Sequence, residues 1–251
     1  TPHPQTTHPT PPLARHRRLP TPPPHPSTPA HMTDAATPQG RPATADAATP
    51  LDLKREVDAY RARAGELRIV TVPPLLALAV DGHGDPNVAD RFQQAVGALF
   101  PLAYALRFAS KAAGRDFTVM PLEGLWWADD MASFTAERDK ARWHWTLRIV
   151  VPDHVDPVAL DVARAKVSAK RDLPALADVR LDLLDEGLCM QTLHVGAFDD
   201  EAAVLAHMHD VAIPESGHRM TGRHHEVYLS DARRTPPERR RTILRQPIEP
   251  V

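Results

Sequence analysis

Polar and apolar residues follow regular patterns from residue 51 onwards, and each pattern predicts one structural element. In the stretch LDLKREVDAYRARA, apolar residues recur at helical spacing, which predicts a short amphipathic helix over Leu51–Ala64. The next run, PPLLALAVDGHGDPN, is apolar and ends in a glycine-rich turn, as is typical of a buried strand. A long helix is predicted over Asn87–Ala113, and Gly114 ends it.

The long predicted helix has a large apolar or aromatic residue at every fourth position. These residues are Phe92, Val96, Phe100, Tyr104 and Phe108. Because positions four apart lie on the same side of a helix, the spacing predicts one continuous stripe. Pro101 falls inside this pattern, so a kink or a break into two helices is expected there.

The middle of the chain alternates between strand and helix patterns. Runs rich in aromatic and β-branched residues predict strands over Phe117–Trp127 and Trp143–Pro152. A helix is predicted over Pro157–Lys170, and the stretch VRLDLLDEG then joins the two halves of the chain.

The second half of the chain repeats the order of elements in the first half. The stretch CMQTLHVGAFDDEA contains an apolar strand, Gly196 and an acidic helix start, as LALAVDGHGDPN does earlier. A helix over Asp200–Val211 and a strand in RHHEVYLSD follow. The repeat predicts an α+β fold of two tandem βαββ modules with pseudo-two-fold symmetry. One antiparallel sheet carries the helices on one face, and a ligand cleft lies at the seam between the modules.

The first 50 residues differ in composition from the rest of the chain. They contain 14 of the 27 prolines, many threonines and alanines, and few large apolar residues. Such a segment cannot bury enough apolar surface to offset the entropy lost on ordering. We therefore predict a disordered tail over residues 1–50 and one small-molecule-binding domain over residues 51–251.

Charge and cysteine content exclude several classes of protein. The 30 basic and 32 acidic residues give a formal charge of −2, which predicts neither a nucleic-acid partner nor a membrane partner. The longest apolar run, Leu75–Val80, is far shorter than a membrane span. A single cysteine, Cys189, excludes an intrachain disulfide and is expected to be a small buried apolar residue. We expect a cytoplasmic protein, and the pattern leaves its oligomeric state open.

Two adjacent tryptophans follow a carboxylate in the stretch MPLEGLWWADD. Because alternate residues of a strand share a face, Glu123 and Trp127 are expected on one face and Trp126 on the other. Tryptophans in strands are usually core residues, but these two cannot both enter a core on one side of the sheet. One of them is therefore expected to line the opposite face, and Glu123 is a candidate for the same face.

A second carboxylate lies in the stretch RHHEVYLSD, where Glu226 and Tyr228 share a face. If the halves are duplicates, Glu226 and Glu123 lie on corresponding strands. An aromatic cleft with one or two carboxylates suits flat, lipophilic or cationic small molecules. Burial also raises the pKa of a carboxyl group, which makes it a better base. The alternative for either glutamate is an ordinary solvent-exposed strand position.

Two long stretches resemble a known family. LAYALRFASKAAGRDFTVMPLEGLWW (102–127) and GRHHEVYLSDARRTPPERRRTILRQPI (222–248) are similar to the signatures of stand-alone GyrI-like proteins. This resemblance implies two βαββ modules and small-molecule binding. One branch of the family includes cyclopropanoid cyclopropyl hydrolases, which add water to the strained ring of DNA-alkylating natural products. The chain departs from that branch at Val227 and Ala232, where isoleucine and proline are expected.

The resemblance implies roles for individual residues. Glu226 is the candidate base, and Tyr104 is the candidate that orients the water or donates a hydrogen bond. Trp126 or Trp127 is expected to stack on the ligand, and Glu123 to hold a ligand N–H group or a second water. The alternative for Tyr104 is an ordinary core position.

Histidines are numerous, but their spacing does not indicate a metal site, and no cofactor is predicted. His194 shares a strand face with Met190, and both are candidates to line the cleft, as is His224 on its own strand. Arg233–Arg241 is a basic run that we interpret as a solvated surface. A helix ending in TILRQPI is predicted after it.

Two further hypotheses remain open beside the enzyme. The same cleft is compatible with a protein that sequesters lipophilic or cationic drugs without changing them. The resemblance is also compatible with an interaction module that modulates gyrase. Recovery of an unchanged ligand distinguishes the first from an enzyme, and a protein complex identifies the second.

Overall fold

The fold is known from a computed structural model, which describes residues 49–129 and 139–251. The predicted disordered tail lies almost wholly outside this part of the chain and stays a prediction. The described residues form nine strands: β1 (Arg68–Val72), β2 (Leu75–His83), β3 (Leu122–Trp127), β4 (His144–Val150), β5 (Arg180–Leu184), β6 (Gly187–Val195), β7 (His218–Met220), β8 (His224–Tyr228) and β9 (Arg241–Pro250).

The helices of the described residues differ greatly in length. They are α1 (Leu53–Glu56), α2 (Asp90–Ala112), α3 (Pro157–Ser168), α4 (Ala202–His207) and α5 (Ile213–Glu215). A 3₁₀ turn, Phe198–Glu201, precedes α4, and a π-helical turn, Met208–Ala212, joins α4 to α5. We refer to residues 198–215 as the second helical segment. None of the helices in the described ranges is long and apolar enough to cross a membrane.

The long predicted helix is confirmed as α2, but Pro101 does not divide it in two. Helical structure continues from Asp90 to Ala112. Leu99 and Leu102, on either side of the proline, are fully buried. Packing of these side chains keeps the helix continuous although Pro101 provides no backbone N–H.

Two predicted helices are wrong. The helix expected over Leu51–Ala64 is reduced to α1. It ends at Val57, where the backbone becomes extended, and Ala59 and Tyr60 are then buried against the sheet. The stretch TILRQPI is not helical but belongs to strand β9. This strand pairs with β6 on one side and β8 on the other, so its ladder hydrogen bonds outweigh local helix propensity.

The sheet confirms the two predicted βαββ modules. Its strand order is β1-β6-β9-β8-β3-β4-β2-β5, with β7 attached to β9, and the ladders are antiparallel. The first module contains β2, α2, β3 and β4, and the second contains β6, the second helical segment, β8 and β9. In each module the third strand lies between the first and second. The two second strands, β3 and β8, therefore pair at the seam, which gives the pseudo-two-fold arrangement.

The outer strands are exchanged between the modules. Strand β1 precedes β2 in the chain but pairs with β6, whereas β5 precedes β6 but pairs with β2. Only residues 73–74 join β1 to β2, and only residues 185–186 join β5 to β6. Such short links span no more than about 11 Å, so the two ends of the sheet must approach each other. The sheet is therefore strongly curved.

One face of the sheet is covered by residues 51–67, which precede β1 and which we call the N-terminal segment. This face contains buried charged groups. Glu123 on β3 is 1% exposed, and one of its oxygens accepts a hydrogen bond from the Tyr60 hydroxyl at 2.6 Å. The Nε2 atom of His225, on β8, lies 3.3 Å from the other oxygen. This pair bridges the seam, because Glu123 belongs to the first module and His225 to the second.

A second carboxylate extends this buried network. Glu186 lies 2.9 Å from Nδ1 of His225 and accepts a hydrogen bond from Nη1 of Arg245 at 3.0 Å. The Arg245 guanidinium also donates to the Gln191 side chain at 3.1 Å and to the carbonyl oxygen of Ala59 at 2.8 Å. The network therefore ties four strands (β3, β6, β8 and β9), the β5–β6 connection and the N-terminal segment together.

The ionisation of the network follows from opposing effects of burial and charge. Burial raises the pKa of Glu123 and of Glu186, but His225 lowers both, and Arg245 lowers that of Glu186 further, to about 2. Burial lowers the pKa of His225, but Glu186 and Glu123 together raise it above its ordinary value. Each buried charge is thus held beside an opposite charge, as a low-dielectric interior requires.

The expectation that Glu123 faces the ligand cleft is wrong. Glu123 shares its strand face with Leu125 and Trp127, and this face is turned towards the N-terminal segment. Trp126 lies on the other face, towards helix α2. Alternation along β3 was predicted correctly, but the sequence does not indicate which face is covered by which element.

Removing the guanidinium of Arg245 tests the contribution of the network. We expect Arg245→Met to lower the free energy of unfolding by about 3–5 kcal/mol, because Glu186 would lose a buried cationic partner. Arg241→Met is the matched control, since Arg241 is an exposed residue of the same strand. Urea denaturation measures both, and equal losses in the two variants would contradict a special role for Arg245.

The lowered pKa of Glu186 also predicts acid sensitivity. A carboxyl group whose pKa is lower in the folded state stabilises the fold above its unfolded pKa, and this contribution is lost as the pH falls towards the folded value. Between about pH 5 and pH 2, Glu186 should therefore account for about 3 kcal/mol of lost stability. Urea titrations across this range should show a shallower decline in Glu186→Gln. A decline as steep as that of the unmodified protein would refute this assignment.

Candidate functional site

A large groove lies over the seam, between helix α2 and the second helical segment. Its volume is about 1650 Å³, and strands β3 and β8 contribute to its floor. The predicted cleft at the seam is therefore present. Among the described residues, eight side chains of Phe, Trp and Tyr line it: Phe92, Phe100, Tyr104, Phe108, Trp126, Trp143, Phe198 and Tyr228.

The wall on the side of α2 is the stripe of large residues that recur every four positions. All five of them line the groove, and Tyr104 and Phe108 are 45% and 58% exposed. The other side of α2 presents leucines and alanines, among them Leu99, Leu102 and Ala98, and these are fully buried. The helix is thus apolar on two sides: one side packs into the core, and the stripe remains in the groove. A continuous apolar surface that remains exposed, as this stripe does, is typical of a binding site.

The floor of the groove combines a hydrogen bond with a nearby carboxylate. Nε1 of Trp126 donates to the hydroxyl oxygen of Tyr228 at 3.1 Å. Burial, followed by the negative charge of the neighbouring Glu226, raises the pKa of Tyr228 well above its ordinary value. Tyr228 therefore remains a protonated phenol beside the Glu226 carboxylate.

Aromatic contacts hold Trp126 in place. The Phe92 ring is stacked on it at a centroid distance of 6.2 Å, and the Trp143 ring meets it edge-on at 5.8 Å. Such pairs stabilise a fixed ring orientation. The indole is 4% exposed, so it forms part of the packed floor of the groove while its N–H group remains bonded to Tyr228.

Gly124 makes the close approach of these groups sterically possible. It lies opposite Glu226 in the β3–β8 ladder. A Cβ atom at this position would lie 2.7 Å from Nε1 of Trp126 and 3.0 Å from the Tyr228 hydroxyl. Both distances are shorter than ordinary van der Waals contact, so a side chain at position 124 would displace the indole or the phenol.

The second helical segment adds two polar groups that the sequence did not reveal. Glu201 is 4% exposed and lines the groove, and its charge contributes to the raised pKa of Tyr228. His209 lines the same groove from the π-helical turn. Burial, and then the nearby His224, lowers the pKa of His209 to about 4, so its imidazole is neutral at physiological pH. In the sequence, Glu201 belongs to an acidic helix start, so nothing distinguishes it as a groove residue. No sequence signal predicts the π-helical turn that carries His209.

The structure brings four of the predicted site residues together. Tyr104, Trp126, Glu226 and Tyr228 all line the groove. His224 lies next to them, with its Nε2 atom 3.5 Å from the Glu226 carboxylate.

The other predicted residues lie elsewhere. Trp127 and His224 line a smaller adjoining hollow of about 240 Å³, where the Arg223 guanidinium lies 3.7 Å from the Trp127 ring centre. Met190 packs in a separate core cluster with Met208. His194 contacts the carbonyl oxygen of Ala197 through Nε2 at 3.0 Å. Met190 and His194 lie outside the groove because the helical segment and the loop before it cover their part of the sheet.

Residues that commonly bind metals do not converge in the described structure. Within residues 49–129 and 139–251, no three His, Cys, Asp or Glu side chains form a group that could hold an ion. Cys189 is buried, and burial raises the pKa of its thiol to about 12. The thiol is therefore protonated at neutral pH, and only thiolates are strong nucleophiles.

A methyl group at position 124 should disturb the groove selectively. We expect Gly124→Ala to cost about 1–3 kcal/mol in stability by overpacking, and to change the fluorescence of Trp126. Gly97→Ala is the matched control: Gly97 also lines the groove, from α2, but nothing lies within 4 Å of its added Cβ. This control should be about 0.5–1 kcal/mol more stable, as expected for alanine in a helix. Similar urea midpoints for the two variants would show that position 124 tolerates a side chain.

Comparisons with known structures support the fold. A protein from Listeria innocua, described as an uncharacterised conserved protein, is 34% identical, with a TM-score of 0.72 over 79% of this chain and 100% of its own. Two further structures from Listeria innocua, each described as a hydrolase, are 34% and 33% identical with TM-scores of 0.69 and 0.70. They cover 79% and 80% of this chain and all of their own.

A comparison with curated proteins finds no match. The family model of the GyrI-like small molecule binding domain matches residues 65–249. Apart from the last residue of β9, this range includes both βαββ modules, the seam and every strand of the described sheet. The chain therefore belongs to the GyrI-like family of small-molecule-binding domains.

Proposed function

We propose that this protein is a hydrolase that adds water to the strained cyclopropane of flat, aromatic, DNA-alkylating natural products and so detoxifies them. The observation that supports this proposal most directly is the position of Glu226. Its carboxylate lies on the floor of an aromatic groove, beside the Tyr228 hydroxyl, and Tyr104 lines the same groove from helix α2. A carboxylate in such a site has the position required of a general base.

The proposed reaction breaks one carbon–carbon bond and forms one carbon–oxygen bond. A water molecule transfers a proton to Glu226 while its oxygen attacks the methylene carbon of the cyclopropane. The electron pair of the broken bond moves through the conjugated ring system to the carbonyl oxygen, and the ring becomes aromatic. The proton then returns to that oxygen as a phenol. The product is the substrate plus one water.

The groove residues act on different parts of this reaction. Trp126 and Phe92 provide stacking surface for the flat ring system. Tyr228 remains protonated beside Glu226, so we assign its hydroxyl to orienting the carboxylate. Tyr104 is the candidate donor to the carbonyl oxygen, where negative charge develops in the transition state. Its hydroxyl lies on the more exposed part of the groove wall.

The relatives are consistent with a hydrolytic function. Two of the similar structures from Listeria innocua are described as hydrolases. The family description, a small molecule binding domain, agrees with an aromatic groove of this volume. A cyclopropane substrate is our finer proposal, and it rests on the Glu226 site together with the two sequence stretches of the hydrolase-like branch.

Binding without turnover is the second candidate. The aromatic side chains of the described groove give enough stacking surface to retain a lipophilic drug without any reaction. A sequestering protein would bind a cyclopropanoid with one-to-one stoichiometry and release it unchanged. Mass spectrometry of the recovered ligand separates the two functions.

Replacement of the Glu226 carboxylate tests the proposed mechanism. We expect Glu226→Gln to lower kcat for a cyclopropanoid substrate by about 100-fold or more, because an amide cannot accept the proton from water. Substrate Kd should change little, since the aromatic walls are intact. Loss of substrate and gain of one water are followed by mass spectrometry, and Kd by tryptophan fluorescence.

Glu215→Gln provides the control, because Glu215 is exposed and lies outside the groove. Its kcat should equal that of the unmodified protein. Undiminished turnover by Glu226→Gln would eliminate this carboxylate as the base. If the unmodified protein binds the compound but never hydrates it, the sequestering function is favoured instead.

A further inference from the structure

The groove carries an excess of positive charge that its aromatic walls do not explain. Among the described residues, eight basic side chains line it: Lys54, Lys140, Lys166, Lys170, Arg171, Arg233, Arg234 and Arg240. Four acidic side chains line it: Glu201, Asp210, Glu226 and Asp231. The whole chain has slightly more acidic than basic residues. The positive excess is therefore a local property of the groove.

The two signs of charge are distributed differently. Glu201 is buried and Glu226 is half-buried on the floor. Six of the eight basic residues are exposed, which places their charges at the groove mouth. A ligand entering the groove therefore first meets positive charge and then meets aromatic rings and carboxylates.

Some basic residues at the mouth already have acidic partners. Arg233 forms a two-pronged contact with Asp231, at 3.0 Å for each hydrogen bond, and Lys140 lies 3.1 Å from Asp199. Pairing of this kind reduces the attraction that these cations exert on a ligand.

A second group of basic residues has no acidic partner within residues 49–129 and 139–251. It comprises Lys166 in the last turn of α3, and Lys170 and Arg171 just after that helix. Cations near the C-terminus of a helix stabilise its dipole, which accounts for part of their placement. The dipole does not require three cations within six residues, and like charges this close repel one another. An anion bound among them would relieve that repulsion.

We propose that the groove selects flat aromatic molecules that carry an anionic group. The aromatic body lies between the α2 stripe and Trp126, and the anionic group lies at the mouth beside Lys166, Lys170 and Arg171. Positive charge at the mouth concentrates anions and slows the entry of cations. This proposal refines the ligand class of the proposed function and rests on binding in the same groove.

The arrangement also orients the ligand. A carboxylate or sulfonate is repelled by Glu201 and Glu226 and so remains at the mouth. The uncharged end of the ligand then occupies the floor, next to Trp126 and the Tyr228–Glu226 pair. In an enzyme, this orientation would place the reactive end of the substrate beside the proposed base.

Two fluorescent probes of almost identical shape test the proposal. Anilinonaphthalene sulfonate carries one negative charge, and its parent, phenylnaphthylamine, carries none. Both become brighter in an apolar site, so titration of the full-length protein gives a Kd for each. We expect added salt to weaken binding of the sulfonate, because exposed charges are screened over about 10 Å at 0.1 M salt. Binding of the neutral parent should be nearly unaffected.

The decisive variant replaces Lys166, Lys170 and Arg171 with glutamine together. Together, three exposed contacts to one anion should lower the Kd of the sulfonate about tenfold. We therefore expect the triple variant to bind the sulfonate about tenfold more weakly and the neutral parent within about twofold of the unmodified protein. Circular dichroism confirms that the variant is folded.

The matched control removes the same charge from outside the groove. Arg63, Arg115 and Arg239 are exposed and do not line it, so their joint replacement with glutamine should leave both Kd values unchanged. An equal loss of sulfonate binding in the control triple would show that only net charge matters and would overturn the proposal. So would unchanged sulfonate binding in the groove triple, or failure of the sulfonate to bind at all. Hydrolysis of a cyclopropanoid by these same variants is measured separately. Its outcome tests the proposed enzyme activity independently of the proposal that the groove selects anions.

Discussion

Pairing of β3 with β8 is the contact on which both the fold and the groove depend, because it alone joins the two modules at the centre of the sheet. The two faces of this strand pair have different roles. On one face, Glu123 and His225 form a buried ion pair across the seam. On the other face, Trp126 and Tyr228 are hydrogen-bonded to each other on the floor of the groove, beside Glu226. Any shift in the pairing would disturb both sets of residues together, since a slip of one residue exchanges the faces.

Burial of charge explains why the network on the closed face is so extensive. A lone carboxylate in that interior would lose several kcal/mol of hydration free energy, so it requires cationic or hydrogen-bonding partners. Glu186, His225 and Arg245 meet this requirement for one another. Because the partners come from separate strands and from the connection before β6, the requirement also restricts how the strands can be arranged. The network thus favours this arrangement of strands over others. It also supports the strands that form the floor of the groove from the opposite face of the sheet.

Helix α2 is apolar on two sides, and only one of them packs into the core. The buried side carries leucines such as Leu99 and Leu102 together with alanines such as Ala95. The large residues of the stripe, such as Phe100 and Tyr104, line the groove instead, where the second module lies on the other side. A periodic apolar stripe is usually interpreted as the core-facing side of a helix. In this protein it is the wall of a binding site, and the amphipathic pattern alone does not distinguish the two.

The sequence by itself determined the order of most elements, the duplication and the alternation of residues along each strand, because these depend on local periodicity. It therefore predicted the βαββ modules, the cleft at the seam, and Glu226 and Tyr228 on one face. Only the tertiary structure decided that β9 is a strand, that Trp126 rather than Trp127 faces the groove, and that Glu123 is turned away from it. These outcomes depend on which distant segment covers each face of the sheet. Glu201 and His209 reach the groove for the same reason, since their position follows from the packing of a helix against a strand far away in the chain.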